Sequence, residues 1–375
     1  MSRKLKFINA KRSNFFAATR QRVDDHFTQN AISKHANAAM FFKTIFFLSG
    51  LLLFYCLIIS NLFGVWTMLI FAGLVGAFSA FIGINICHDA IHGAFSPRKN
   101  VNLLLSLVFN ILGASSYVWN ITHNMVHHSY TNVAGYDEDI DIAPGLIRIS
   151  TTEKVNKFQR YQHFYAFFLY GFASLSWVFR KDYLKFFKNK IGQHPNTNHP
   201  KKEYFNLFFF KSINYSLFIG LPLVILDITF LQFLAGFLVM HLVQGLVLGV
   251  IFQLAHVVEG VAFPFPDDQG NIEEEWAVHQ LRTTANFASK SRLVSFFCGG
   301  LNFQIEHHLF PKICHIHYPV ITTIVKNTAE EFNLPHLEYP TFLSALKSHY
   351  RMLQHLGRDA YLRQRNETNL HSTFQ

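Results

Sequence analysis

"FFKTIFFLSGLLLFYCLIISNLFGVWTMLIFAGLVGAFSAFIGINIC", Phe41 to Cys87, contains a single charged residue, Lys43. One bilayer crossing takes ~20 apolar residues, so this stretch is long enough for two helices. Ser60-Asn61-Leu62-Phe63-Gly64 supplies the turn between them. A second region of the same kind runs from Ser212 to His256, where only Asp227 is charged. Together they predict two helical hairpins, residues 44–60 with 65–87 and 212–226 with 230–252.

The basic residues then set the topology, because Lys and Arg favour the cytoplasmic side of a membrane protein. Of the 33, nine lie at or before Lys43, thirteen between Arg98 and Lys202, one at Lys211 and ten from Arg282 onward; neither hairpin turn holds any. Both termini and the central segment are therefore expected on one face, the cytoplasmic one. The net charge of +10 gathers there, against anionic head groups or a phosphate-bearing ligand. Two further apolar stretches, Val101–Trp119 and Tyr161–Phe179, are long enough to span. Crossing by both would carry the basic residues between them to the other face, so they are expected as helices at the interface or under the cap.

The organisation that follows is an all-α integral membrane protein: a cytoplasmic segment 1–40, a first transmembrane hairpin 41–87, cap residues 88–211, a second hairpin 212–256 and cap residues 257–375. The first forty residues are polar and basic, which is no cleavable signal pattern. The four cysteines show no CxxC spacing, so neither a disulfide framework nor a thiolate metal site is indicated.

Histidine is where the chemistry gathers. "HDAIH", His88 to His92, follows the second span, and "HNMVHHSYTN" opens at His123. His88 with His92, and His123 with His127, stand at i, i+4 and share a helix face; His128 points about 100° away, toward a second ion. His256 closes the fourth span, and "QIEHH" sets Gln304 before His307 and His308. Eight imidazoles are too many for one tetrahedral ion and suit a dinuclear site. Imidazole alone leaves zinc, copper, iron and nickel open, while the absence of HExxH removes the commonest hydrolytic motif. Asp89, Glu259 and Glu306 flank these histidines and are candidates to accept the free ring N–H. The acidic loop "GYDEDID", Gly135 to Asp141, is expected as an exposed loop, with a basic carrier or the positive ligand shell of the metal site as the alternatives it could meet, and His315 and His317 as supporting or interface residues.

"HDAIH", "HNMVHHSYTN" and "QIEHHLFP", in that order and spacing, resemble the three histidine boxes of the membrane fatty acid desaturases. Gln304 at the head of the third box resembles the front-end branch, which places a double bond between an existing one and the carboxyl end. The resemblance implies four transmembrane helices bearing a cytoplasmic cap, with two non-haem irons held by His88, His92, His123, His127, His128, His256, His307 and His308. It implies O2 as co-substrate, an acyl-CoA or acyl-lipid substrate, and an acyl tunnel lined by Trp119, Trp276, Gln280 and Thr283. Gln304 is left as a weak ligand, a water-mediated one, or none. His194-Pro195 and His199-Pro200 lack the glycines of a cytochrome b5 haem motif, so electrons are expected from a separate cytochrome b5 or ferredoxin with its reductase. That tilts the expectation to a bacterial inner membrane rather than the endoplasmic reticulum. No nucleic-acid partner is expected. A di-iron hydroxylase or ketolase stays open as an alternative outcome of the same oxidant. From another class, so does a zinc-dependent membrane hydrolase or a metal transporter, although transporters place their ligands within the spans.

Overall fold

The computed structural model describes residues 5–9, 13–140, 142–149 and 154–365, and they are mostly helical. Four helices are long and apolar enough to cross a membrane: Ala38–Ile59, Val65–His92, Lys201–Ile225 and Phe230–His256. They are referred to below as the first to fourth spans. Each exceeds its expected length, and the physical causes are local. Asn37 caps the first by accepting from the Ala39 and Met40 N–H groups, which starts it ahead of the apolar run. The second continues through a π-helical turn, Gly83–Cys87, into the first histidine box without a break. The third begins in the polar "KKEYF" stretch at Lys201, so Lys211, expected at a helix start, is instead buried mid-helix. There it donates to Asp182 and to the carbonyls of Gly113, Trp177 and Val178. Thr229 caps the fourth span with a reciprocal Gln232 bond, and that helix ends on His256 itself.

Phe54 packs against Phe71 and Phe78, holding the first span against the second. The second also lies against the fourth, where a Cβ on Gly76 would stand 2.1 Å from the Met240 carbonyl oxygen. Close backbone approach at a small residue is how helices associate where lipid competes with every apolar side chain. The turns at the far ends of the helices meet as well: the Asn61 side-chain Nδ2 donates to the Asp227 carboxylate, and the Asp227 backbone N–H donates to Asn61 Oδ1.

The two other apolar stretches do not form straight rods of membrane length. Lys99–Ile111 and Ser116–His127 meet at 109°. The second stretch is broken near Phe172, between helices Gln162–Gly171 and Ala173–Ser176. The remaining residues build a helical layer over one end of the spans. Its core joins the helix Phe15–Gln29 to Trp276–Thr283, Gln304–Leu309 and Tyr318–Glu331 through Phe15, Val23, Phe27, Leu281, Ile305 and Ile321. Each such side chain contributes about 1.5–3 kcal/mol by leaving water. This core presses the third histidine box onto the ends of the second and fourth spans. Strand structure among the described residues is confined to three two-residue pairs, Lys6–Phe7 with Asn271–Ile272, Lys190–Ile191 with His194–Pro195, and Asn286–Phe287 with Glu338–Tyr339.

Candidate metal centre

The elements that converge here are distorted helices. A π-turn precedes His88, and Asn120–His127 is π-helical throughout, with the His128 N–H bonded to the His123 carbonyl, five residues back. Widened turns of this kind recur at functional sites. In this register His128 lies beneath His123, its Nε2 3.2 Å from that of His123. The sequence reading, which assumed an α-helix, had turned it away.

All eight histidines are buried. His88, His92, His123 and His307 bring ligand nitrogens within 4.8 Å of one another; so do His127, His256 and His308; and His128 joins His307 and His308 in a third set between them. The i, i+4 pair His123 and His127 is thus divided between two groups. The Nε2 atoms of His128 and His307 lie 3.0 Å apart. Two imidazoles binding one ion at ~2.1 Å and at right angles stand about that far apart. Both nitrogens of His88, Nε2 of His92 and His127, and Nδ1 of His128 and His256 are buried without a hydrogen-bond partner among the described residues. Buried polar nitrogens without partners are costly unless something binds them, and each of these rings belongs to a set that brings one nitrogen per residue within 4.8 Å of the others. The residues fit metal.

Charge reinforces the fit. Burial, and then the neighbouring imidazoles, hold His128, His307 and His308 well below the ordinary histidine pKa, so they are neutral and their nitrogens free to ligate. His123 donates from Nδ1 to Asp139 at 2.9 Å and His127 from Nδ1 to Asp137 at 2.8 Å. Each bond fixes the tautomer that turns Nε2 inward. Burial opposes ionisation of both carboxyls, but His127 outweighs it at Asp137, and Lys181 with Lys185 does so at Asp139, so both sit below the usual carboxylate range. The loop read as exposed is therefore buried through Asp137 and Asp139; Asp141 lies outside the described residues. The sequence leaves contact of this loop with the histidine cluster open as one alternative, but does not say which acid meets which ring. The available signal was an acidic run in a chain otherwise short of acids, directly after a histidine box.

The three carboxylates singled out in the sequence turn elsewhere. Asp89 accepts from the backbone N–H and Nδ1 of His315, and His315 Nε2 lies 2.8 Å from the Lys43 ammonium. Glu306 accepts from Asn286 and faces His336. Glu259 is paired with Arg351 at the surface. The cause is rotation: a helical neighbour points about 100° away from the residue beside it, so an acid adjacent to a ligand faces a different partner. Glu259 lies beyond the helix end, in the turn completed by Gly260 at φ +86°. His317 is half-buried and donates to the His35 carbonyl.

Gln304 stands in the second group, its amide nitrogen 2.8 Å from His256 Nε2 and 3.3 Å from His308 Nε2. Of the side chains expected along an acyl tunnel, Trp119 stacks on His123 at 4.1 Å and borders an apolar cavity beside the first group. Gln280, in contrast, accepts from Thr131 and from His308 Nδ1, at 2.7 Å for the latter, and so orients a candidate ligand. Trp276 donates to the His128 carbonyl. Thr283 donates to the His279 carbonyl, and its own carbonyl accepts from Asn132. None of these three lines that cavity: the helix Trp276–Thr283 packs beside the third box. A wider apolar groove opens between the spans near their turns, by Tyr55, Trp66, Phe218 and Met240, far from any of these histidines.

Four membrane-length helices and a buried polyhistidine cluster define an integral membrane protein with a histidine-rich site compatible with metal. The chain matches the fatty acid desaturase family over residues 64–340. It is 37% identical over 355 residues to an acyl-lipid (8-3)-desaturase of Physcomitrium patens, which covers 94% of this chain and 74% of that protein. It is 36% identical over 351 residues to an sn-1 linoleoyl-lipid 6-desaturase of Synechocystis sp., covering 90% of this chain and 94% of the relative. A protein of the same description from Arthrospira platensis is 33% identical over 337 residues, 90% of this chain and 91% of its own. The chain belongs to the fatty acid desaturase family and is an oxidoreductase of lipid metabolism.

Proposed function

We propose that the protein is a front-end desaturase acting on an acyl chain carried by a glycerolipid or coenzyme A, with two irons as its cofactor. The observation that carries this reading is the pair of imidazole groups, His88, His92, His123 and His307 beside His127, His256 and His308, with His128 between them. His88, His92, His123 and His307 would hold one iron and His127, His256 and His308 the other, with His128 between the two groups and Gln304 beside the second. The front-end assignment rests on the QxxHH third box and on relatives named as 6- and (8-3)-desaturases.

An unactivated C–H bond offers no acid, base or leaving group, so the irons supply the O2-derived oxidant. Two C–H bonds on adjacent methylenes break and one C=C forms. O2 takes up four electrons, two from the acyl chain and two from a donor, and with two added protons leaves as two waters. The chain's own residues supply orientation and dryness. Asp139 and Asp137 hold His123 and His127 in their ligating tautomers, Gln280 does the same for His308, and Trp119 with its apolar neighbours keeps water from the cavity.

The four spans are read as two hairpins, 41–87 and 212–256, with the cap of residues 88–211 and 257–375, the segment 1–40 and both termini on the cytoplasmic side. That face meets a separate electron donor, a cytochrome b5 or a ferredoxin with its reductase, and a bacterial inner membrane is preferred to the endoplasmic reticulum. The test is expression in a desaturase-free host fed linoleic acid, with iron measured on the purified protein. The expected result is about two irons per chain and one new double bond on the carboxyl side of the existing ones. A hydroxylated main product, or zinc without oxygen consumption, overturns it.

A further inference from the structure

The cavity beside the first histidine group is walled by apolar residues such as Ile84, Phe109, Trp177 and Phe252, and its polar lining includes His88, His123, Asp139 and Lys181. It shares Gly83, Phe109, Trp177 and Leu248 with a smaller cavity that reaches Ser174 and Gln244 between the spans, so an apolar path leads inward from the histidines. Lys181 is the cation among the described residues of this lining. Its ammonium stands 3.7 Å from Asp139 Oδ1, beyond hydrogen-bond length, and 5.3 Å from the Trp177 ring centre. Among the described residues it makes no closer polar contact, so its three N–H donors are available. Asp139 bonds His123 through its other oxygen, which places this cation one side chain away from a metal-holding imidazole. The lysine is also partly exposed, on the rim where the cavity meets the cap surface.

Resting on the front-end reading above, we propose that Lys181 is the residue from which the double-bond position is counted: its ammonium donates to the C1 carbonyl oxygen of the bound acyl chain. An acyl chain offers apolar methylenes to the apolar walls and one acceptor, the carbonyl, at its head. A carbonyl drawn out of water needs a donor, and a charged donor gives the stronger bond. Holding that oxygen beside the histidines leaves only a few methylenes between anchor and site, which is the geometry a front-end reaction requires. A glycerolipid ester and a coenzyme A thioester present the same oxygen.

A lysine that served only as counter-charge to Asp139 would alter rate without altering position, and position is the deciding readout. The full chain is expressed in a desaturase-free host fed linoleic acid, and double-bond positions are read by mass spectrometry of derivatised products. The wild type is expected to give one position. Lys181→Met is expected to lose on the order of tenfold in conversion or more and to spread the residual product over neighbouring carbons, as befits a lost charge-assisted bond. Lys181→Arg is expected to keep one position. Lys185→Met, which changes charge near the same acids without bordering the cavity, is expected to keep one position at altered rate. If Lys181→Met fails to accumulate in the membrane, Lys181→Gln carries the test. A single unchanged position in the Met or Gln variant, at whatever conversion, overturns the proposal. Equal losses in Met and Arg variants overturn it too, as does a shift in Lys185→Met matching that in Lys181→Met. If the wild type itself makes no front-end double bond, the reading beneath falls instead. Membranes supplied with labelled linoleoyl-CoA or linoleoyl-phosphatidylcholine separate the two carriers.

Discussion

The first and second histidine boxes look alike in sequence, each with an i, i+4 pair, yet the structure holds them in place by different means. In the second box every paired imidazole has a carboxylate behind it, Asp139 at His123 and Asp137 at His127. In the first, both nitrogens of His88 are without a partner among the described residues, and its carboxylate, Asp89, is committed to His315 and faces Lys43 through it. The first-box rings are aimed by packing instead: Trp119 and His307 lie against His88, at 5.4 and 4.4 Å between ring centres, and Gly93 in the left-handed region ends the helix directly after His92. One half of the site is thus oriented by charge and the other by shape. Losses on the charged half should be graded, because a tautomer preference weakens without vanishing. Losses on the packed half should act through stability.

The largest effect belongs to the residue the two halves share. His307 joins both the first group and the set with His128 and His308, so His307→Ala should abolish desaturated product and lower bound iron more than any single carboxylate change. Metal analysis of the purified variant beside product analysis checks it, and a variant retaining two irons and its activity would show that the groups do not depend on this ring. Next comes the charged half. Asp137→Asn preserves shape but removes the charge behind His127, and it also weakens a loop in which Asp137 accepts from the Asn132 and Asp139 N–H groups. A drop of about 10–100-fold in metal affinity or activity is expected, in the range typical of such supporting groups. Metal titration against a competing chelator measures it.

How much of this was legible in the sequence follows the same division. His88 with His92 and His123 with His127 could be paired because helical spacing is periodic, whereas His256, His307 and His308 join them only through the fold. The four long helices could be read because apolar length is a composition, not a contact. Their ends were less legible: the spans reach Lys201 and His256 through continuing backbone bonds that hydropathy does not register. That the acidic loop could meet the histidines was open in the sequence, but which ring Asp137 and Asp139 would each meet was not legible, since they reach them through an irregular loop beside a π-helical turn. No period encodes that path. Adjacency misled in the opposite sense, because Asp89 and Glu306 sit beside ligands in sequence and are rotated away from them in space. Gln280 was chosen for a tunnel and instead stands behind His308, a difference of a few ångströms that only the packing of its helix decides.

The packed half can be broken through Asp89. Asp89→Asn leaves the His88 ring untouched while removing the negative charge on which His315 closes, so the segment around His315 loses part of its hold on the second span. A hydrogen bond to a charged group contributes about 1.5–3 kcal/mol against about 0.5–1.5 for a neutral one, so the loss is a part of that. The expected outcome is a lower melting temperature, with iron content and product per folded molecule staying within a few-fold of wild type. An effect on iron equal to that of Asp137→Asn would mean that Asp89 orients a ligand after all, and the contrast between the boxes would fail.

The smallest effect is expected at Glu259, and it separates position in sequence from position in space. Only three residues past His256, it meets Arg351 across the surface with both side chains about half exposed. An ion pair in that setting exchanges good hydration for a contact that salt screens, and the two nearly cancel. Glu259→Gln should therefore leave iron content, product and double-bond position unchanged and move the melting temperature little. Its Ser348 contact and the Tyr339 hydroxyl bonded to its backbone carbonyl keep the turn in place without the charge. A loss of iron in this variant, measured beside Asp137→Asn in one preparation, would return Glu259 to the ligand shell and show that the turn after His256 closes inward when metal binds.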